Sequence, residues 1–256
     1  MPIVHFKGRV LPAVMLITIS DLPSVHWEQA NLHLIMDITT RITNSVIDME
    51  FDVNQLDEAD LSPLLMRAWD LSRAAVDIYC YTRGVGLTVY IDTYVKPNGE
   101  ESSVLPQMPG LAAYCTAFDI VPGNTGNNNF DSFYRMVVSE PALFMAINDL
   151  IVSITLPHHA SVNCARAIEG IRVLMVPPGI DRRQGWPLMR QNLNLEQAYV
   201  EFVTDVSTAP RHGDRTHIPG PTVIETTTRS WIIMNRFLEF RKRGSPLPIA
   251  EFPLLS

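Results

Sequence analysis

The sequence predicts an α+β protein with an N-terminal β-rich domain containing one embedded helix and a C-terminal four-helix bundle. Apolar and polar residues partly alternate in the first half of the chain, whereas apolar residues recur every three to four positions in the second half. The 256 residues, 46% of them hydrophobic and 18% charged, are enough to bury a sizeable core. We therefore expect a β domain over residues 1–124 and a helical bundle over residues 130–246, with the loop-like stretch 122–131 as their boundary.

Short runs rich in Val, Ile and Thr predict the strands of the first domain. Four of them come early and are separated by turn residues: "VHFKGRVLP", "VMLITIS", "NLHLIMDITT" and "NSVIDMEFDV". A later run, "VGLTVYIDTYV", precedes Lys96-Pro97-Asn98-Gly99. Because both residues of an Asn-Gly pair tolerate positive φ, this stretch predicts a hairpin. The first domain is therefore expected to be a mixed sheet or a sandwich.

One helix is predicted inside this domain, at about residues 61–82. Its apolar residues have helical spacing and should face the sheet: Leu61, Leu64, Leu65, Ala68, Leu71, Ala75 and Ile78. Ser62 is the candidate N-cap, Pro63 fits the first helical position, and Gly84 is suited to end the helix.

The second half predicts four helices joined by short links. The first is interrupted near Pro141, the second stops at Pro177-Pro178-Gly179, and the third starts near Pro187. The fourth ends in Arg241-Lys242-Arg243, where cations suit the helix dipole. The segments are "DSFYRMVVSEPALFMAINDLIVSITL", "HHASVNCARAIEGIRVLM", "WPLMRQNLNLEQAYVEFVTDVS" and "PTVIETTTRSWIIMNRFLEFRKRG".

The charge is unevenly distributed. The net charge is −7, but residues 1–128 carry 7 basic and 15 acidic side chains, whereas residues 129–256 carry 13 and 12. Within 172–243 there are 11 basic against 7 acidic side chains, and ten of the basic ones are arginines. An acidic whole argues against broad electrostatic binding of nucleic acid, but it leaves room for a local arginine-rich face.

The cysteines and the apolar runs favour a cytoplasmic protein without a membrane span. The three cysteines are odd in number, widely separated and lack a C-x-x-C pair, so neither a disulfide framework nor a metal knuckle is expected. Cys80 and Cys164 lie in helical patterns and are expected to be buried thiols. Polar residues interrupt the longest apolar run at Asn148 and Asp149, and Pro12 breaks the apolar run near the N-terminus.

The stretch "DVSTAPRHGDRTH", residues 205–217, joins the third and fourth predicted helices and concentrates titratable side chains. His212 could act as a general acid or base, because imidazole titrates near neutral pH. Arg211 and Arg215, with the Arg182–Arg183 pair, could hold a phosphate through bidentate hydrogen bonds. The alternative interpretation is a polar turn in which Pro210 stops one helix, Gly213 permits the turn and His212 packs locally.

Three features of residues 130–243 are shared with a known group of proteins: the order of the helices, the stretch "ARAIEGIRVLM" on the second helix, and "RHG" before a hydrophobic fourth helix. In these features the region resembles the HEPN superfamily, particularly ApeA-like members. The resemblance implies a dimer that cleaves RNA with a histidine and an arginine that precedes it with four to six residues between the two. His212 and Gly213 match the histidine half of that motif. The positions for the arginine hold Asp205, Val206 and Ser207 instead, so we expect a protein of this kind without nuclease activity.

Metal binding and cofactors are not expected. His158 and His159 are consecutive and would point about 100° apart on a helix, so they are poorly placed to share an ion with His212 and His217. No H-x-x-x-H pair, phosphate-binding glycine loop or G-x-S-x-G elbow is present.

Three functional hypotheses follow from the sequence. The first is a bacterial HEPN-like homodimer that binds RNA or phosphate in stress or defence. The second is a non-catalytic homodimeric interaction or structural protein. The third is a small-molecule binder between the two domains, with a pocket lined by aromatic residues such as Tyr90 and Tyr94.

Overall fold

The computed structural model describes residues 2–20, 22–57, 60–117, 129–213 and 218–256. It divides the chain into two compact units, residues 1–105 and 106–256. The predicted α+β class is confirmed, because the first unit is a sheet with one helix and the second is helical. The predicted domain boundary falls mostly on residues outside the described ranges and stays a prediction.

The first unit contains one six-stranded sheet in which every neighbouring pair is antiparallel, with strand order β2-β3-β4-β1-β5-β6. The strands are β1 (Ile3–Leu11), β2 (Val25–Gln29), β3 (Leu34–Thr43), β4 (Val46–Val53), β5 (Thr88–Val95) and β6 (Glu101–Ser103). Along β1, β3 and β4 nearly every second side chain is buried. The alternation in the sequence therefore corresponds to one face packed on a core and one open face.

The core face of the sheet is covered by the single helix of this unit, α1 (Leu61–Arg83), which is confirmed over almost the predicted range. Its fully or nearly fully buried residues follow one another at every fourth position: Leu64, Ala68, Ser72 and Val76. Gly84 ends the helix at φ +64°, as predicted.

Two details predicted for α1 are wrong. Ser62 lies within the helix, and Asp60 takes the N-cap position, where its carboxylate accepts the Asp57 N–H at 2.8 Å. Ile78 is 68% exposed because the buried row runs through Val76 instead.

The predicted hairpin is confirmed, but one predicted strand is not. Lys96 N–H donates to the Glu100 carbonyl at 2.9 Å, and Gly99 has φ +84° in the turn between β5 and β6. Residues 14–20 form no strand, since they bond mainly to one residue of the β3–β4 turn: Ile17 N–H donates to Ser45 Oγ and Ser45 N–H to the Ile17 carbonyl. The sequence does not predict β2.

The second unit contains more helices than the predicted four. Over the described residues they are α2 (Asn129–Ser139), α3 (Pro141–Thr155), α4 (Ala160–Leu174), α5 (Gly185–Leu193), α6 (Gln197–Val206), α7 (Thr208–Arg211) and α8 (Gly220–Arg243). The predicted break near Pro141 is confirmed as the start of α3. The predicted third helix is wrong as a single element, because Asn194 adopts φ +53° and separates α5 from α6.

The core of the second unit is organised around α4, which packs against α3, α5, α6 and α8. Buried residues from all five helices form one hydrophobic cluster. Among the described residues, no single helix has the length and apolar composition needed to cross a membrane, although α2 and α3, bent by 109°, meet both criteria as a pair.

A buried arginine in α8 connects three parts of this unit. Arg236 is 5% exposed. Its guanidinium donates to the carbonyls of Leu193 and Asn194, both at 2.8 Å, and of Pro253, at 2.7 Å. The first two carbonyls lie at the C-terminal end of α5, where the helix dipole favours a cation. Burial lowers the pKa of Arg236, so the carbonyl hydrogen bonds must compensate the charge.

We expect Arg236→Ala to lower the free energy of unfolding by about 3 kcal/mol or more, because it leaves three carbonyls without their donor. Arg236→Met keeps much of the side-chain volume and should lose a similar amount, whereas Arg183→Ala, at an exposed position, should change it by less than about 0.5 kcal/mol. Equilibrium unfolding in urea measures the free energy of unfolding of all three variants. A stable Arg236→Met variant would show that packing, and not hydrogen bonding, is what Arg236 provides.

Candidate functional site

The joint between α7 and α8 holds the histidine singled out in the sequence. His212 follows α7 directly, and its N–H donates to the carbonyls of Thr208 and Ala209 at 3.2 and 3.1 Å. Its side chain is exposed and so does not pack locally. Gly213 makes the predicted turn with φ +80°. Pro210 does not stop the preceding helix, which ends at Val206; it lies inside α7.

Arg211 is engaged within the protein. Its Nη1 donates to Glu169 Oε1 of α4 at 2.8 Å, and its Nη2 lies 3.4 Å from the Thr204 carbonyl of α6. The ion pair is partly exposed, with 32% and 41% of the Arg211 and Glu169 side chains accessible. Arg211 therefore serves to hold the short helix α7 against α4 and α6, and a phosphate would have to compete with Glu169 for it.

Two other candidates at the joint, Arg215 and His217, lie outside the described residues. His158 and His159 form a short 3-10 turn, Pro157–His159, that leads into α4. Within the described ranges, no three His, Cys, Asp or Glu side chains come together as a group that could hold a metal ion.

Arg182 and Arg183 lie elsewhere, in the 3-10 turn Arg182–Gln184 that leads directly into α5. The Asp181 carboxylate accepts the Arg183 N–H at 2.9 Å and so caps this turn. Both arginine side chains are exposed. No hydrogen bond or ion pair joins this pair to Arg211 among the described residues, and Arg215 lies outside them, so the predicted phosphate-binding set stays a prediction.

Most of the basic side chains between residues 172 and 243 have a partner within the protein. These are Arg172 on the Trp186 ring, Arg211 with Glu169, Arg229 with Glu225, Arg236 with three carbonyls, Arg241 with Glu140, Lys242 with the Ala117 carbonyl, and Arg243 with Glu239 and Glu251. Among the described basic residues of this range, those whose side chains have no ion pair or hydrogen bond are Arg172, Arg182, Arg183 and Arg190. Arg172 lies near the end of α4, Arg182 and Arg183 lie in the 3-10 turn before α5, and Arg190 lies in the last turn of α5.

The sequence analysis did not single out Arg172 and Trp186, which lie where the end of α4 meets the start of α5. The Arg172 guanidinium carbon lies 5.0 Å from the centroid of the Trp186 ring. A Cβ on Gly185 would lie 2.7 Å from both Cγ and the carbonyl oxygen of Arg172, so only glycine allows α4 and α5 to approach this closely. The Nε of Arg172 is buried, and no described residue accepts a hydrogen bond from it. Such an unpaired buried donor is rare in proteins.

We call Arg172, Arg183, Trp186 and Arg190 the α5 arginine cluster. Trp186 and Arg190 are four residues apart on α5 and so lie on the same side of the helix. Arg183 precedes Arg190 by seven residues, or about two helical turns, so it is placed on the same side in the turn before α5. Between residues 176 and 195 the only acidic residue is Asp181, so the surroundings are locally cationic. Arginine side chains beside an aromatic ring can bind phosphate groups and stack on bases.

A predicted buried thiol, Cys164, and a suggested pocket residue, Tyr94, are both buried. Cys164 is 0% exposed, as predicted, and burial raises the pKa of its thiol, whereas Cys80 is partly buried and Cys115 is exposed. Tyr94, suggested as a pocket residue, is 7% exposed and packs on Phe6 in the core of the first unit. A buried thiol and a core tyrosine are not accessible to a ligand.

Residues 4–105 match the N-terminal domain of DUF8168, and residues 130–242 match the C-terminal domain, both described as domains of unknown function. No curated protein and no solved structure matches the chain. Neither domain description refers to the HEPN superfamily, so that resemblance stays a prediction.

We expect a double-mutant cycle of Arg211→Ala and Glu169→Ala to give a coupling energy of about 0.2–1 kcal/mol at low salt, because the pair is partly exposed. The coupling should weaken in high salt. Urea unfolding of the two single variants and the double variant measures it. Zero coupling at low salt would mean that Arg211 is free in solution and available to a ligand.

Proposed function

The chain belongs to the DUF8168 family, whose two domains match residues 4–105 and 130–242, and we propose that its C-terminal domain binds single-stranded RNA through the α5 arginine cluster. The observation that carries this proposal is the unpaired state of the arginines around Trp186. We propose binding without cleavage. In this respect the protein would resemble a HEPN superfamily member whose arginine–histidine motif is incomplete.

The charge arrangement supports a phosphate ligand. An arginine with a purely structural role usually donates hydrogen bonds to a carboxylate or a carbonyl, as Arg211 and Arg236 do. The side chains of Arg183 and Arg190 have no such partner among the described residues. A phosphate oxygen is an acceptor with the charge and geometry to satisfy arginine donors. Asp181 opposes this by placing one carboxylate near the cluster, but its Oδ1 already accepts the Arg183 N–H.

Trp186 is the reason to favour a single-stranded nucleic acid over free phosphate. Proteins that bind single strands combine cationic side chains along the backbone with aromatic rings on which bases stack. Trp186 is partly exposed and lies between the cationic positions. A phosphate alone would use the arginines but gain nothing from the ring.

The geometry at His212 favours binding over catalysis. General acid–base cleavage of RNA needs a positioned cation next to the histidine to stabilise the developing charge. The adjacent Arg211 is paired with Glu169, and the positions expected for the motif arginine hold Asp205, Val206 and Ser207. His212 is exposed and lies outside the α5 arginine cluster.

We expect the protein to bind a fluorescein-labelled oligouridine RNA of about 20 nucleotides, with an affinity that falls as salt rises. Arg183→Ala and Arg190→Ala should each lower the slope of log K against log salt concentration by about 0.7, because each removes one phosphate contact with a single strand. Fluorescence anisotropy over a range of potassium chloride concentrations measures both quantities.

The matched control is Arg9→Ala, which removes an exposed arginine from the open face of the N-terminal sheet and should leave the slope unchanged. Inorganic phosphate distinguishes the two ligand classes, since it should compete only weakly with the RNA. Binding that Arg9→Ala weakens as much as Arg183→Ala would contradict the site. Wild-type protein that leaves RNA anisotropy unchanged would contradict the function.

We also expect RNA to remain intact in the presence of the wild-type protein and of His212→Ala, since the catalytic arginine is missing from its motif position. Denaturing gel electrophoresis of the RNA after prolonged incubation tests this. Cleavage by the wild type that His212→Ala abolishes would overturn the non-catalytic proposal.

A further inference from the structure

An apolar stripe on α2 is exposed to solvent. Phe130, Tyr134 and Val138 follow one another at every fourth residue and are 55%, 58% and 60% exposed. Phe130 and Tyr134 stack, with ring centroids 6.3 Å apart and ring planes 14° from parallel. The neighbouring side of α2 packs on the hydrophobic core of the unit through Phe133, Met136 and Val137. The helix is therefore apolar on two sides, and among the described residues only one of them packs on the core.

The next helix, α3, also carries exposed apolar side chains. Phe144, Met145 and Ile151 are 53%, 44% and 48% exposed, but α3 is bent by 109° from α2 and is not counted as part of the stripe. The three stripe residues of α2 present on the order of 300 Å² of surface per chain. Isolated exposed apolar residues are normal, but patches of this size are typical of interaction sites.

Charged residues beside the stripe indicate what covers it. Asp131 and Arg135 each follow a stripe residue by one position, so they lie along the same edge of the stripe. In the described residues neither side chain has an ion pair or a hydrogen bond. When two such helices pack antiparallel, Asp131 of each faces Arg135 of the other. The edge is therefore complementary to itself.

We propose that two copies of this chain pair through their α2 helices, antiparallel about a two-fold axis near Tyr134. In this arrangement Phe130 of one copy packs on Val138 of the other, and the two Tyr134 rings meet at the axis. A two-fold axis brings the same patch of both copies together, as most homodimers do. The two stripes would bury on the order of 600 Å² in total, as expected for a weak dimer that forms as the protein concentration rises.

The charges favour a second copy over a membrane surface. Residues 129–155 contain one basic and three acidic residues. Helices that lie on membranes usually carry lysines and arginines beside their apolar face, which attract anionic lipids. In α2 the basic residue beside the stripe is Arg135 alone, and Glu140 and Asp149 are paired with Arg241 and Arg166, so the stripe lacks the basic border that draws a helix to anionic lipids.

Sedimentation velocity over a range of protein concentrations tests the proposal on the full chain. The wild type should shift from monomer to dimer, and Tyr134→Glu should raise the dissociation constant at least about tenfold. Tyr81→Glu is the matched control, because Tyr81 is 91% exposed on α1 and should leave dimerisation unchanged. Circular dichroism and thermal melting show that each variant is folded.

Charge reversal tests the antiparallel arrangement itself. Asp131→Arg and Arg135→Asp should each weaken the dimer, because each places like charges across the interface, and the double variant should restore it. A wild type that stays monomeric at all concentrations, or a Tyr134→Glu variant that still dimerises, would overturn the proposed surface. A double variant as weak as the singles would overturn the antiparallel pairing, and binding to phosphatidylglycerol vesicles without dimerisation would indicate a membrane instead. None of these results depends on RNA binding.

Discussion

The helical unit depends on the burial of one guanidinium. Arg236 lies in the C-terminal half of α8, and its guanidinium donates to carbonyls at the end of α5 and in the C-terminal segment. Asn194 is part of the same arrangement, since its left-handed conformation exposes the carbonyl that Arg236 binds and its amide holds the carbonyls of Leu247 and Phe252. A buried charge held only by carbonyls is tolerated because all three hydrogen bonds are made at once. Loss of any of these carbonyls would leave the cation under-compensated, so α5, α8 and the C-terminal segment keep fixed positions relative to one another.

This arrangement changes the meaning of the many arginines in the second half of the chain. An excess of arginine in an otherwise acidic protein suggests a nucleic-acid surface, yet most of these side chains join helices to one another. Arg241 binds Glu140 across α8 and the α2–α3 break, and Arg211 binds Glu169 across α7 and α4. Among the described arginines between residues 172 and 243, those that lack a hydrogen bond or an ion pair lie at the end of α4, in the turn before α5 or in α5. The distribution of partners, and not the number of cations, is therefore what distinguishes a structural arginine from a ligand-binding one.

The sequence allows the fold class to be predicted because β1, β3 and β4 have a period of two and α1, α3, α4 and α8 a period near 3.6. It also locates Gly84 and Gly99, whose positive φ has a local cause. The break at Asn194 is not predictable in this way, because its stabilising partners Leu247 and Phe252 are more than fifty residues distant. The pairing of Arg211 with Glu169 spans 42 residues and leaves no periodic signal. Trp186 is missed for the same reason, since its role depends on Arg172 from the preceding helix.

The net charge of −7 constrains how the proposed RNA site can work. Screening limits the reach of a charge at physiological salt to about 8 Å, so a phosphate senses the arginines near Trp186 only at close range. Long-range attraction is absent, and a single cluster of a few cations gives modest affinity. A symmetric dimer would present two such clusters on one particle. A strand long enough to reach both would then bind the second cluster at a high effective concentration, which raises affinity without any new contact. Self-association through α2 would therefore be the simplest way for an acidic protein with few free arginines to hold RNA.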